Sequence, residues 1–558
     1  MYQPIRQGQR YAALIIAMIL AVFTIGGKAE AAETGARKLD GIREIYAASG
    51  FWGGSSFAVG KDGSVWVWGS NIAGQFGSGQ SGAYGWTNAP HQIPGLAGVQ
   101  KLAIGRSGFY FALVKDGSVM AWGGPDSAKP TTLPELKNIA DITSGLALGK
   151  DGTVYRLEAA QEDKTADGKT ADGKTTEGKT ADGKTTEGKT TEGKTTEGKT
   201  TDGKTANVKP PRLPVINKQT GIDGVSRVMT STMVHAALRK DGTLWLWSTG
   251  LAGDAGSLYS RQPARVEGLT GVTSVSVGIE SVIAVTNKGT VWASVGDWRG
   301  TKPIVMKPMS RLSSIVSAET GYGINLVKNA RGEYWFWDDG TELRSLQKFT
   351  AVPGIARLTL KFDGLTAIGK DGSVRIIKNR YLDDRLELTT PVRIKGVEFP
   401  VSFAEGENSN YAVLKDGTAM AWGTNIFGQL GTGNLNRSSA VPEPLLKPVG
   451  LKVNGQPVLM EQPAMYNGGR VYLPLRSAAE ALGYTVKWNY GKTELTGHGK
   501  KFIVGGQGIL RDDGKVILMD GAPVQISDKL LVPGGSLAKA LGLRAVWNAA
   551  AYELTIQP

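Results

Sequence analysis

Side chains able to make and break bonds are scarce in this chain and stand far apart. The three histidines, His91, His235 and His498, are scattered along 558 residues that contain no cysteine. A zinc or copper site needs clustered imidazoles or thiolates, and neither is offered here. Without cysteine there are also no disulfides, lipid-acylated cysteines or thiol nucleophiles. His235 stands in an apolar run and reads as a core residue. The carboxylate pairs Asp338-Asp339 and Asp383-Asp384 are of the type that glycoside hydrolysis uses. Neighbours in a strand point to opposite faces, however, so they read as turn or surface residues. Gly168 to Thr175 fits the phosphate-loop pattern G-x-x-x-x-G-K-[ST], and Gly77 to Gly82 fits G-x-G-x-x-G. Neither is delivered by a strand and followed by a helix whose N-terminus could hold phosphate, so both read as glycine coincidence. The nucleophile-elbow, zincin and kinase patterns are missing. The residues predict no catalytic, metal or cofactor site.

What the chain has instead is a repeated turn. Lys61-Asp62-Gly63-Ser64 leads into Val65-Trp66-Val67-Trp68-Gly69, and related turns place glycines at 63, 117, 152, 242, 289, 332, 372 and 417. Asp-Gly tolerates the positive backbone angles of a tight hairpin, and the apolar runs on either side read as strands. Phe57-Ala58-Val59 and Phe111-Ala112-Leu113 are examples of the run before the turn. A strand unit of roughly 40 to 50 residues cannot bury its own faces and belongs to a propeller or solenoid. Tryptophans 66, 68, 122, 245, 247, 292, 335, 337 and 422 all lie in the strand after the turn. That recurrence reads as packing between sheets rather than as a carbohydrate-binding stripe.

Length alone predicts two or more domains. The 77 glycines suit a turn-rich all-β protein. Arg6 and Arg10 precede an apolar run from Tyr11 to Gly26, and Ala29-Glu30-Ala31 offers a small-x-small cleavage site, so residues 1–31 read as a secretory signal peptide. The run is short of the roughly 20 residues that span a bilayer, and no later stretch could cross one, so no transmembrane segment is expected after cleavage. The formal charge is +14. An exported cationic protein does not meet nuclear DNA, and it suits anionic wall polymers or acidic proteins. A surface that is basic only for solubility explains the charge equally well.

Residues 162–208 interrupt the repeats with copies of Lys-Thr-Ala/Thr-Asp/Glu-Gly. In the eight copies from Lys164 to Gly203, balanced charges and no apolar side chain larger than alanine predict a disordered insertion, placed in a blade connection rather than between domains. After Pro448 the texture changes. Val471 to Asn489 aligns without gaps on Leu530 to Asn548, with Pro474/Pro533, Leu482/Leu541, Gly483/Gly542 and Trp488/Trp547 among the identities. Each half reads as strand, Pro-started short helix stopped by glycine, then strand.

Two stretches carry family resemblances. Trp68-Gly69-Ser70-Asn71-Ile72-Ala73-Gly74-Gln75-Phe76-Gly77-Ser78-Gly79 and Trp422 to Gly433 share W-G-x-N-x-x-G-Q-x-G-x-G, which closely resembles the regulator of chromosome condensation repeat. The resemblance implies a seven-bladed propeller over residues 38–448, while eight turns leave room for eight blades. The middle units lack G-Q-x-G. That family includes a chromatin-bound nucleotide exchange factor and secreted bacterial propellers that inhibit β-lactamase, and fold alone does not choose between such roles. Leu473-Pro474-Leu475-Arg476 through Gly483-Tyr484 to Trp488 resembles the copper amine oxidase N-terminal-like domain of secreted Gram-positive proteins. This implies an accessory α+β module over 449–558 without copper chemistry. In the second half Gly534-Gly535 replaces Leu-Arg.

The expected molecule is mainly β: a seven- or eight-bladed β-propeller followed by a small α+β domain with two similar halves. It is expected to be a secreted, non-enzymatic binding or scaffold protein. Its partner is expected to be an extracellular protein or an anionic cell-wall polymer, with no nucleic acid. The alternatives are a secreted inhibitor of an extracellular enzyme and a carbohydrate-active hydrolase. Loops converge at one end of a propeller, and the connections before the leading strands hold the candidate partner-binding residues Phe51, Trp52, Arg106, Tyr322, Glu407 and Asn408. Aromatics and arginine are the residue types that anchor interfaces.

Overall fold

The computed structural model describes residues 38–48, 54–79, 85–105, 108–124, 128–158, 212–249, 262–279, 281–295, 305–321, 323–338, 345–361, 363–382, 385–406, 408–489 and 492–558. The proposed leader and the pentad tract lie outside them. The first four described strands, Ile42–Ala48, Ser55–Gly60, Val65–Ser70 and Trp86–Gln92, pair in chain order as one antiparallel sheet. Seven more sheets follow on the same plan at 99–132, 139–218, 225–265, 272–308, 315–348, 355–398 and 400–444. In blades 1 to 7 the first strand packs on the second strand of the blade before it, which for blade 1 is blade 8, and blade 7 meets blade 8 through Val392–Glu398. The described residues therefore form an eight-bladed propeller, the larger of the two expected blade numbers.

Both faces of a blade are buried, which explains the unbroken apolar runs. In Ser55–Gly60, Phe57 and Val59 enter the core shared with blade 2, while Ala58 enters the core shared with blade 8. The recurrent tryptophans divide by the same alternation. Trp68, Trp122, Trp247, Trp337 and Trp422 are buried between blades, whereas Trp66, Trp245, Trp292 and Trp335 are only half-buried.

The repeated turn joins the second strand of each blade to the third. All eight turn glycines have φ between 72° and 90°. In six turns the aspartate Oδ1 accepts the N–H two residues on, as in Asp62 with Ser64 at 2.9 Å and Asp116 with Ser118 at 2.8 Å. That bond and the Ser64 hydroxyl hold the Asp62 carboxyl below the usual aspartate range, as the Ser118 hydroxyl and N–H hold Asp116. In blade 6 Asn329 takes over the aspartate's task, its Oδ1 accepting from Arg331 and Glu333.

The turn also joins blade to blade. The carbonyls of Gly63, Gly117, Gly242, Gly289, Gly372 and Gly417 accept the N–H of Val99, Ile139, Val272, Ile315, Phe399 and Ile42 at 2.9–3.2 Å. The residue leading each first strand must turn back to make this contact. All eight such residues, Gly41, Gly98, Asn138, Gly224, Gly271, Ser314, Gly354 and Phe399, have φ between 49° and 68°. Three of them are not glycine, so sequence alone did not reveal the class. The ring closes through the same device, because Ile42 N–H of blade 1 donates to Gly417 O of blade 8 at 3.2 Å.

Strands Val154–Glu158 and Val215–Lys218 on either side of the pentad tract pair with each other inside blade 3. The tract thus leaves and re-enters one blade. Deleting residues 164–203 is expected to raise stability by about 1 kcal/mol, the logarithmic closure entropy of the shortened connection. Urea unfolding of the deletion variant measures it.

The C-terminal module holds two described helices, α1 (Leu475–Ala481) and α2 (Gly534–Leu541). Each is entered from a proline, Pro474 or Pro533, with φ −58°. Gly483 and Gly542 end them at φ 82° and 76°. The strands before the helices pair antiparallel about Leu473 and Val532, with Tyr472 opposite Pro533 and Pro474 opposite Leu531. These are equivalent residues of the two halves, so a pseudo-twofold axis passes between Leu473 and Val532. Leu473, Ala478, Leu482, Val532, Leu537 and Leu541 build the core around it.

Candidate functional site

Among the residues singled out from sequence, Phe51, Trp52, Arg106, Tyr322 and Glu407 lie outside the described residues. Asn408 is exposed, and its carbonyl accepts the Thr424 N–H at 2.8 Å. All six belong to first-to-second-strand connections, in blades 1, 2, 6 and 8. These connections share one end of the ring with the third-to-fourth-strand connections, opposite the tight glycine turns.

Beneath this end the described strands carry a polar network that spans blades. The Lys361 ammonium, 8% exposed, meets Asp363 Oδ1 at 3.0 Å and donates to Asn410 Oδ1 at 3.2 Å. Thr366 Oγ1 donates to Glu405 Oε1 at 2.9 Å, and Leu360 N–H donates to Glu319 Oε2 at 3.0 Å. Burial pushes the Glu319 carboxyl up, against that hydrogen bond and Arg357. The network joins residues that sequence spacing keeps far apart, which is why no motif announced it. On its outer side, blade 7 extends its third strand, Ser373–Leu382, into a hairpin arm with Arg385–Leu388. Tyr381 and Leu382 on this arm are exposed.

The histidines do not converge. His235 is buried in blade 4, with Nδ1 3.0 Å from Thr230 Oγ1 and its ring against Trp247, as a core residue should be. His498 Nε2 lies 2.9 Å from Leu482 O in the C-terminal module. Asp338 ends a strand of blade 6, and Asp339, Asp383 and Asp384 lie outside the described residues. Among the described residues no three His, Asp or Glu side chains are grouped to hold a metal. No described helix is long and apolar enough to cross a membrane.

The W-G-x-N-x-x-G-Q-x-G-x-G loops prove to be blade staples. Within each loop the asparagine side chain closes the turn, with Asn71 Oδ1 accepting Phe76 N–H at 2.9 Å and Asn425 Oδ1 accepting Leu430 N–H at 3.0 Å. The glutamine carbonyl then accepts the next blade's indole, Trp122 Nε1 to Gln75 O at 2.9 Å and Trp68 Nε1 to Gln429 O at 2.6 Å. Gln429 O also accepts the Tyr411 hydroxyl at 2.6 Å, and burial pushes that phenol up to about 12. Among the described residues the buried indole nitrogens of Trp247 and Trp337 have no such acceptor.

The stapled blades are also where the C-terminal module docks. Ala89 and Leu446 share a buried cluster with Met465, Tyr472, Ile526 and Leu531, and Gln462 Nε2 donates to Asn88 Oδ1 at 3.3 Å. Beside this contact a cleft of about 1240 Å³ separates blade 1 from the module. His91 and Pro94 are on its propeller wall, and Leu459, Trp488 and Gln525 on the other. Leu459 is 78% and Trp488 70% exposed, large apolar surfaces left to solvent.

His91 packs edge-on against Phe76 at 4.5 Å, and neither ring nitrogen has a partner among the described residues. Burial, helped by Lys529, pushes its imidazole down to about 3. The unfolded chain binds this proton near pH 6.5, whereas the folded chain refuses it until about pH 3. This contribution is therefore intact above pH 6.5 and is lost as pH falls toward 3. At pH 4 the loss is expected to be about 2 kcal/mol, less than the full linkage because the module can part from blade 1. Thermal melts of wild type and His91→Leu at pH 7 and pH 4 measure it, and the variant should lose less.

Comparisons with known proteins bear on both parts. The mouse E3 ubiquitin-protein ligase HERC2 is 28% identical over 314 residues, 49% of this chain and 6% of that protein, and the human protein matches equally. The chain thus spans only 6% of the length of these curated relatives. Solved structures similar in fold include Prp20p from Saccharomyces cerevisiae, with TM-score 0.41 and 12% identity over 74% of this chain and 88% of that one. Yeast RCC1 (Prp20) bound to Kap60 has TM-score 0.37 and 13% identity over 73% and 84%. The C-terminal module matches a family outright: residues 452–556 correspond to the copper amine oxidase N-terminal domain.

Proposed function

We propose that this is an exported, non-enzymatic scaffold that presents the long-connection end of its ring to an extracellular protein. The observation that supports it is the asymmetry of the ring. One end carries eight tight turns, while the other carries the longer connections and the blade 7 hairpin, which rests on blade 6 through Leu386 and leaves Tyr381 and Leu382 exposed. Exposed aromatic and aliphatic side chains on a rigid support are how protein partners are anchored. The cationic charge of +14 leaves an anionic wall polymer as the second reading.

Immobilised full-length protein, exposed to an extracellular protein extract at low and high salt, separates the two. A protein retained at high salt and released by Tyr381→Ala supports the scaffold reading. Retention of polymer alone, lost at high salt, supports the second. Hydrolysis of wall glycans that disappears on carboxylate substitution overturns both.

A further inference from the structure

The two halves of the C-terminal module carry equivalent tryptophans in unequal surroundings. Trp547 is covered: Tyr466 stacks on it at 5.4 Å with the rings 22° apart. Trp488, its counterpart, is 70% exposed in the cleft facing blade 1. The pseudo-twofold axis shows what has changed. Tyr466 pairs with Val471, and Gln525 pairs with Leu530, which is the residue equivalent to Val471. Gln525 therefore occupies in one half the place that Tyr466 occupies in the other. Instead of covering Trp488, its carboxamide donates to Ser527 O at 2.9 Å, and the residue lines the cleft. Across the strand the contrast repeats, with Leu554 opposite Trp547 and Thr493 opposite Trp488. One half of the module has built its aromatic stack from within, and the other has left it half-made.

We propose that the cleft between blade 1 and the module binds an extended segment of a protein partner and seats one of its aromatic side chains on Trp488. Four observations select this occupant. The stack completed by Tyr466 in the same module shows that a phenol ring fits the exposed face of this tryptophan position. Trp488 lies on Thr485–Asn489, the edge strand of its five-stranded sheet, where an extended chain can be received by strand addition. The cleft's charged side chains do not favour a polyanion: Lys529 is paired with Asp528 at 2.8 Å and Arg476 with Glu480 at 3.4 Å, and the remaining lining charges, Lys129 and Glu461, cancel in number. On the facing wall both ring nitrogens of His91 are buried without a partner among the described residues, an unmet hydrogen-bonding group beside the cleft. No described residue of blade 7, whose hairpin carries Tyr381, lines this cleft, so the two readings are tested at different residues and each can fail without the other.

The test uses a random octapeptide phage library panned on the full-length protein. Enriched peptides are expected to share an aromatic residue, and the same peptides made synthetically should bind saturably by fluorescence anisotropy. Trp488→Ala should weaken that binding at least about tenfold. Gln525→Tyr, which installs the residue found at the equivalent position, should cover Trp488 from within and weaken binding as much. Both variants should keep the wild-type melting temperature, because neither side chain is part of the core. Tyr381→Ala should leave peptide binding unchanged. Enriched peptides without a common aromatic, binding unaffected by Trp488→Ala and Gln525→Tyr, or preferential binding of soluble wall-glycan fragments at Trp488 would overturn the proposal.

Discussion

Replacing Trp68 by alanine is expected to lower the stability of the ring by about 4 kcal/mol, the cost of emptying a large core site. Trp68 is fully buried where blade 8 meets blade 1, edge-on to Tyr411 at 6.2 Å, in a core that includes Ile42, Ile45 and Leu430. Part of the loss belongs to the indole N–H, which donates to Gln429 O at 2.6 Å. A pair of conservative variants isolates that part. Trp68→Phe removes a satisfied donor, whereas Trp247→Phe removes one that is buried without a partner among the described residues. Trp68→Phe should therefore cost about 1 to 2 kcal/mol more than Trp247→Phe. Urea denaturation followed by circular dichroism measures both, and equal costs would mean that the glutamine carbonyl contributes nothing to joining the blades.

Gly63→Ala is expected to cost about 3 kcal/mol. Its φ of 83° is disfavoured for alanine, and an added Cβ would stand 2.7 Å from Gly98 Cα in the next blade. The natural control is Gly332, the same turn in blade 6, with φ 82° and nothing within 4 Å of an added Cβ. Gly332→Ala bears only the backbone strain, about 1 kcal/mol. The difference between the two melts is the energy with which one turn holds its neighbour. If the two variants melt together, the turn glycines serve the hairpin alone and not the ring.

Much of this architecture was legible in the sequence because it rests on local rules. A glycine forced to positive φ after an aspartate that accepts from the residue two on is a signal of four residues, and six such turns, with the variants at Gly289 and Gly332, mark eight blades. The helices of the module were announced by Pro474 and Pro533 at their starts and glycines at their ends. The first strands were harder. Val225–Thr230, for example, is only partly buried and mixes polar residues with apolar ones. The joints at Asn138, Ser314 and Phe399 carry no glycine, so their positive φ is imposed by the hydrogen bond to the preceding turn and not by residue type. The cleft was invisible for a different reason. Trp488 and Trp547 are aligned identities, each followed by asparagine, and the exchange of Tyr466 for Gln525 at a paired position, together with the docking of blade 1, leaves one of them open.

Every site described here depends on closure, because closure sets the fourth strand of blade 1 against the module. The absence of native cysteine makes closure directly measurable. Lys38 and Leu446, far apart along the chain, form an antiparallel bridge between the start of the ring and its end, while Leu39 N–H donates to Leu445 O at 2.9 Å. Antiparallel neighbours of this kind have Cα atoms about 4.5 to 5.5 Å apart, within disulfide reach. In Lys38→Cys/Leu446→Cys protein, mild oxidation of the native state is expected to form the cross-link in nearly every molecule, seen as a faster band on a non-reducing gel. Free thiols persisting in the folded, oxidised protein would show that blade 8 does not meet blade 1 and that the ring is open.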